Sequence, residues 1–115
     1  MSISADTLHL LDFSDMVVRG RRLRTRHPGL LLAELLGELA ISQAGLARAI
    51  GVSAMRVSHI VKGNRPVTAD MALCLGRRFR QSPQYWLNLQ ARYDLDRALD
   101  EMGRSALSAI EPVAA

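Results

Sequence analysis

Acid–base or metal chemistry in this chain would have to come from His9, His27, His59 or Cys74, acting with its eleven carboxylates. Their spacing does not bring them to a common site. No histidine has a second histidine or a cysteine at i+3 or i+4, Cys74 is the only cysteine, and no glycine-rich phosphate loop follows a strand pattern. No catalytic residue, metal ligand or cofactor site is assigned, and the chain reads as a non-enzyme. The residues that spacing does organise lie between Gln43 and Lys62, and their chemistry is recognition.

With Gln43 as the first position of a helix-turn-helix, Leu46, Ala47 and Ile50 form the apolar stripe of a short helix. Gly51 stands where that helix must stop and the backbone favours positive φ. Val52 is an apolar plug in the turn, and Ser53 is a good N-cap for a second helix. Val57, Ile60 and Val61 make the buried stripe of that helix, and Ala54, Met55, Arg56, Ser58, His59 and Lys62 face outward. Ala47 is small where the two helices cross most closely. Such a motif turns the N-terminal half of its second helix into the DNA major groove.

The charge pattern supports a nucleic-acid surface. Twelve of the fifteen basic residues but only three of the eleven acidic ones fall between Arg19 and Arg80, so that segment carries +9 while the whole chain carries +4. The flanking segments are acidic, so the positive charge surrounds the motif. Length and the 49% hydrophobic content, with few aromatics, suit one domain of packed helices. No apolar run approaches the ~20 residues of a membrane span, the N-terminus lacks the pattern of a secretory signal, and no disulfide framework exists. A cytoplasmic protein with no membrane partner is expected. Cys74 is expected to be a small buried hydrophobe.

The elements that position the motif are legible from their punctuation. His27-Pro28-Gly29 opens a first helix carrying Leu31, Leu32, Leu35, Leu36 and Leu39. Ser42 caps the first helix of the motif. Gly63 and Pro66 end the second, Thr68 caps a fourth helix with Asp70 in its first turn, and Ser82-Pro83 starts a fifth. Met71, Ala72, Leu75 and Phe79 form the fourth helix's apolar face, widened by Leu73 and Cys74. The fifth holds Tyr85, Trp86, Leu89 and Tyr93. These residues complete the core and offer a subunit interface at Tyr85, Trp86 and Leu89, with Trp86 inward. Residues 1–18 read either as a short docked element or as an arm. The run from Arg19 to Arg26 reads either as a solvated linker or as an arm along phosphates or a minor groove. From residue 100 onward the small, polar, Pro-interrupted sequence predicts fraying.

His27-Pro28-Gly29, Ile41-Ser42-Gln43, Leu46-Ala47, Gly51-Val52-Ser53, Thr68 to Leu73 and Ser82-Pro83-Gln84-Tyr85-Trp86-Leu87-Asn88-Leu89-Gln90 strongly resemble the HigA-type (VapI-like) antitoxins. These belong to the Xre group of lambda-repressor-like helix-turn-helix proteins. The resemblance runs from about His27 to Ala98. It implies an all-α, five-helix DNA-binding domain at 27–99, here with an N-terminal extension at 1–26, basic at 19–26, and a short C-terminal tail at 100–115. It also implies a homodimer that represses its own toxin–antitoxin operon and neutralises a RelE-like (HigB-type), mRNA-cleaving toxin. Carried over residue by residue, it places phosphate contacts at Gln43 and Ser53 and base contacts at Ala54, Met55 and His59. This sequence departs from the family in having Leu30 where an acidic residue usually follows His-Pro-Gly, and in its longer start.

The apolar Ala54 and Met55 suit the methyl group of thymine, and His59 can donate to a purine N7 or O6. Arg56, Lys62, Asn64 and Arg65 flank these readers and are assigned to phosphates. Residues 1–18, acidic and apolar, are expected to contact the basic toxin. The alternatives are an Xre-type repressor with no toxin partner and a protein-interaction module whose basic surface meets an acidic partner.

Overall fold

The computed structural model describes residues 25–114. The start and the basic run as far as Arg24 lie outside the described residues, and so does the toxin contact expected of 1–18. Among the described residues every regular element is a helix: α1 (Pro28–Leu39), α2 (Gln43–Ile50), α3 (Ala54–Val61), α4 (Ala69–Phe79), α5 (Pro83–Met102) and the one-turn α6 (Arg104–Ser108).

Short-range chemistry sets most of the boundaries. Ser42, Ser53 and Ser82 sit in extended backbone at the N-caps of α2, α3 and α5, and each hydroxyl accepts a main-chain N–H of the first turn. Gly51 ends α2 at φ 76° and Gly63 follows α3 at φ 79°, conformations that cost glycine little. Two stops have no such signal: Ala40 and Arg80 end α1 and α4 in the left-handed region at φ 56° and 58°.

The helices bury one contiguous core. Leu32 and Leu36 of α1, Leu46 and Ala47 of α2, Val57 and Ile60 of α3, and Met71, Ala72 and Leu75 of α4 meet around Trp86 of α5. Val67, in the loop between α3 and α4, closes the same cluster. Trp86 is fully covered, and its indole N–H donates to Gln81 Oε1 at 2.7 Å, which satisfies the one polar atom the burial would otherwise strand.

The structure corrects several expectations. Leu73 is 61% exposed rather than part of the α4 stripe, and Cys74 is only half-buried. The α4 apolar face is therefore narrower, built on Met71, Ala72 and Leu75, with Phe79 half-buried beside it. Thr68 occupies the N-cap of α4 but makes no side-chain cap bond. Helix α5 runs on to Met102, and α6 follows where fraying was expected. No single helix among the described residues is long and apolar enough to cross a membrane.

Candidate nucleic-acid interface

Helix α3 is anchored by its inner face, and this fixes the side chains on its outer face. Val57 and Ile60 are completely buried, so the opposite row of Met55, Ser58, His59 and Lys62 must point away from the core. Ala54 and Met55 are exposed at the start of the helix, Met55 by 67%, and His59 is half-buried one turn further along. The predicted base readers Ala54 and Met55 thus stand at the N-terminal end of α3, and His59 stands in its C-terminal half, one turn beyond Met55 on the same row.

The residues assigned to phosphates lie around these readers. Gln43 opens α2, and the exposed Ser53 spends its hydroxyl on the Arg56 N–H at 3.1 Å. That bond uses a lone pair of the oxygen, and the hydroxyl proton is left to donate to a phosphate. Lys62, Asn64 and Arg65 are exposed in the turn that leaves α3, where Asn64 and Arg65 both donate main-chain N–H groups to the His59 carbonyl at 2.8 and 3.2 Å. Arg56 is placed differently. Its Nη2 donates to Thr68 Oγ1 at 3.0 Å and to both Asp70 oxygens at 3.0 and 3.1 Å, so it is held against the start of α4. Hydrogen bonds from Thr68 and Arg56 push the Asp70 carboxyl down to about 2. Arg56, Arg65, Pro66 and Thr68 line an open notch of about 470 Å³ beside this pair.

Two buried polar side chains hold the turn after α3, a role that local sequence assigns to neither. His27 is the N-cap of α1: its Nδ1 accepts the Gly29 N–H at 2.9 Å. The remaining ring N–H donates to the main chain of Arg65, and the ring packs on Gly63 and edge-on to Tyr93. Burial lowers the His27 pKa below its ordinary 6.5, although the Arg65 bond and the Asp94 charge oppose the shift. Gln90 of α5 takes the Val67 N–H on its Oε1 at 2.8 Å and donates to Asp94 at 3.0 Å. The segment carrying Asn64 and Arg65 is therefore pinned from both α1 and α5.

A larger cleft, about 1120 Å³, lies between the end of α2 and the junction of α4 with α5. Ile50, Leu73, Cys74, Arg77, Arg80 and Pro83 line it, and none of the residues assigned to DNA reaches it. Its size does not make it the site, because it holds no acid–base pair and no reader.

Of the three residues expected at a subunit interface, Tyr85 is 41% exposed, Leu89 is half-buried and Trp86 has no exposed surface. Trp86 is therefore a core residue, and only Tyr85 and Leu89 leave area for a partner.

No family model matches the chain. Virulence-associated protein I of Dichelobacter nodosus is 41% identical over 88 residues, which cover 76% of this chain and 80% of that protein. Among solved structures, an addiction module antidote protein of the HigA family from Coxiella burnetii superposes with a TM-score of 0.76 at 40% identity. The Pseudomonas aeruginosa antitoxin HigA, solved with the higBA promoter, superposes with a TM-score of 0.74 at 47% identity. Both cover 79% of this chain and are themselves covered over 100% of their length.

Proposed function

This chain belongs to the HigA family of helix-turn-helix antitoxins, and from that premise we propose that it is a homodimeric repressor of its own toxin–antitoxin operon. The observation that carries the DNA reading is the outer face of α3, which presents Ala54, Met55 and His59. The helix is locked by Val57 and Ile60, and the face is flanked by Lys62, Asn64 and Arg65. A flat cationic surface would bind DNA of any sequence; fixed readers between anchors select one. One motif covers a half-site, so a palindromic operator calls for two copies about one helical turn apart. Tyr85 and Leu89 of α5 supply the area for that pairing.

In this reading residues 27–99 are the DNA-binding domain, 1–26 an extension and 100–115 a tail, and the protein works in the cytoplasm. The second role is neutralisation of a RelE-like, mRNA-cleaving toxin, with residues 1–18 as the contacting segment because they are acidic and apolar. Co-expression with the product of the adjacent gene tests this role. Growth is restored by the full chain and not by a chain lacking residues 1–18, while operator binding by the truncated chain stays within a few fold. Operator binding without any rescue by the full chain favours the toxin-free Xre repressor.

A further inference from the structure

Arg56 is one residue from Met55 on the recognition helix, yet in the free protein its guanidinium is engaged by the chain itself. Asp70 meets it through both carboxylate oxygens, and Thr68 accepts a third bond from the same nitrogen. The Thr68 hydroxyl also donates to Asp70. A threonine at an N-cap ordinarily spends its oxygen on a helix amide; this one gives up that role to join Arg56 to Asp70. The pair is also exposed, with side-chain accessibilities of 26% for Arg56 and 67% for Asp70. Such a pair is weakly held and open to competition from another anion.

We propose that Asp70 is a specificity-determining residue that occupies Arg56 in place of a DNA phosphate and yields it only in the register-matched operator complex. The proposal rests on the DNA-binding reading above. A phosphate is a bidentate acceptor for arginine just as a carboxylate is. Displacing Asp70 requires a phosphate held at the mouth of the notch that Arg56 and Arg65 line. Docking of Ala54, Met55 and His59 against their base edges supplies that fixed register. Loosely bound, non-matching DNA does not, so Arg56 stays with Asp70 and adds nothing to sequence-independent affinity. Asp70 itself is an anion beside the DNA surface and repels the backbone until it is bypassed. With its carboxyl at about 2, it remains charged throughout the neutral range.

The test measures affinity for operator and for scrambled duplex at several salt concentrations, for the wild type, Asp70→Asn, Arg56→Gln and the double variant. In Asp70→Asn the guanidinium is free. Binding to scrambled DNA then tightens about fivefold per protomer near 0.15 M salt, and its salt slope steepens by about one. Operator binding changes less, so the ratio between the two falls. In the Arg56→Gln background the steepening of the salt slope disappears, and only the small gain from removing one repelling charge remains. An unchanged slope for Asp70→Asn overturns the proposal, and so does an equal steepening in the Arg56→Gln background, which would make Asp70 a general surface charge. Thermal unfolding checks that each variant is folded, and Asp70→Ser, which keeps a good residue in the first turn, serves if Asn does not fold. Wild type that binds neither duplex overturns the DNA-binding reading itself, a result distinct from all of these.

Discussion

The imidazole of His27 stands edge-on to the ring of Tyr93, with centroids 5.0 Å apart and planes inclined at 75°. This contact joins the start of α1 to the middle of α5, and the same ring holds the Arg65 main chain. The arrangement needs a neutral histidine, because Nδ1 must accept from the Gly29 N–H. The folded-state pKa lies below the unfolded value of 6.5, so the unfolded chain takes up the proton first as pH falls. The stability contributed by His27 is complete above 6.5 and is lost as pH drops through the lower folded value. Denaturant unfolding at about pH 7.5 and about 5.5 checks this. The wild type loses stability at the lower pH, and His27→Asn, which keeps a capping oxygen but does not titrate, shows a smaller loss while being less stable at both.

Gly29 is fixed by the close approach of α1 to α3. A Cβ at this position would lie 1.7 Å from the Ile60 carbonyl oxygen and 2.7 Å from its carbon, both main-chain atoms that cannot rotate aside. Gly29→Ala therefore has to separate the two helices. A loss of about 3 kcal/mol is expected in equilibrium unfolding, at the upper end for overpacking. Operator affinity should fall as well, because Ile60 belongs to the recognition helix. A loss of under about 0.5 kcal/mol would mean that the helices do not meet this closely.

Readers and anchors separate by salt. Met55→Ala or His59→Ala should weaken operator binding by about 1–3 kcal/mol and leave scrambled DNA nearly unaffected. Lys62→Ala or Arg65→Ala should weaken both alike and lower the salt slope by about one for each phosphate no longer neutralised. Titrations on both duplexes at several salt concentrations make the distinction. Equal weakening on both duplexes for His59→Ala would remove it from the readers.

The proposed pairing of two chains would rest on Tyr85 and Leu89, since Trp86 is buried within its own protomer. Sedimentation of the wild type at tens of micromolar should show a dimer, and Tyr85→Asp with Leu89→Asp a folded monomer. Trp86→Ala should act otherwise, costing about 3–5 kcal/mol of stability through the cavity it leaves. A wild-type monomer with and without operator would rule out the dimer.

The helix-turn-helix was readable because its signals act over a few residues. Gly51, Ser53 and the spacing of Leu46, Ala47, Val57 and Ile60 bracket α2 and α3 closely. Features that depend on residues distant in the chain were not readable. Arg56 and Asp70 are separated by fourteen positions, so nothing local tells that the Thr68 hydroxyl leaves its cap to join them. Leu73 looked like a core residue because its type says nothing about whether another helix covers it. The stops at Ala40 and Arg80 carry no propensity signal: main-chain bonds from Ile41 N–H to the Leu36 carbonyl and from Gln81 N–H to the Gly76 carbonyl close them, and residue type does not announce the positive φ. His27 could be placed at a helix opening, but its role as the link between α1, α5 and the turn after α3 exists only in the assembled fold.

If the outer face of α3 reads a particular sequence, the protein must prefer its own operator to other DNA. The most direct measurement compares wild-type affinity for the DNA upstream of its own gene with that for a scrambled duplex of equal length at about 0.15 M salt. A preference of at least about 10³-fold is expected, persisting as salt rises and both affinities weaken. Equal affinity for the two duplexes, with the same salt slope, would contradict sequence reading by α3 and leave only a basic surface.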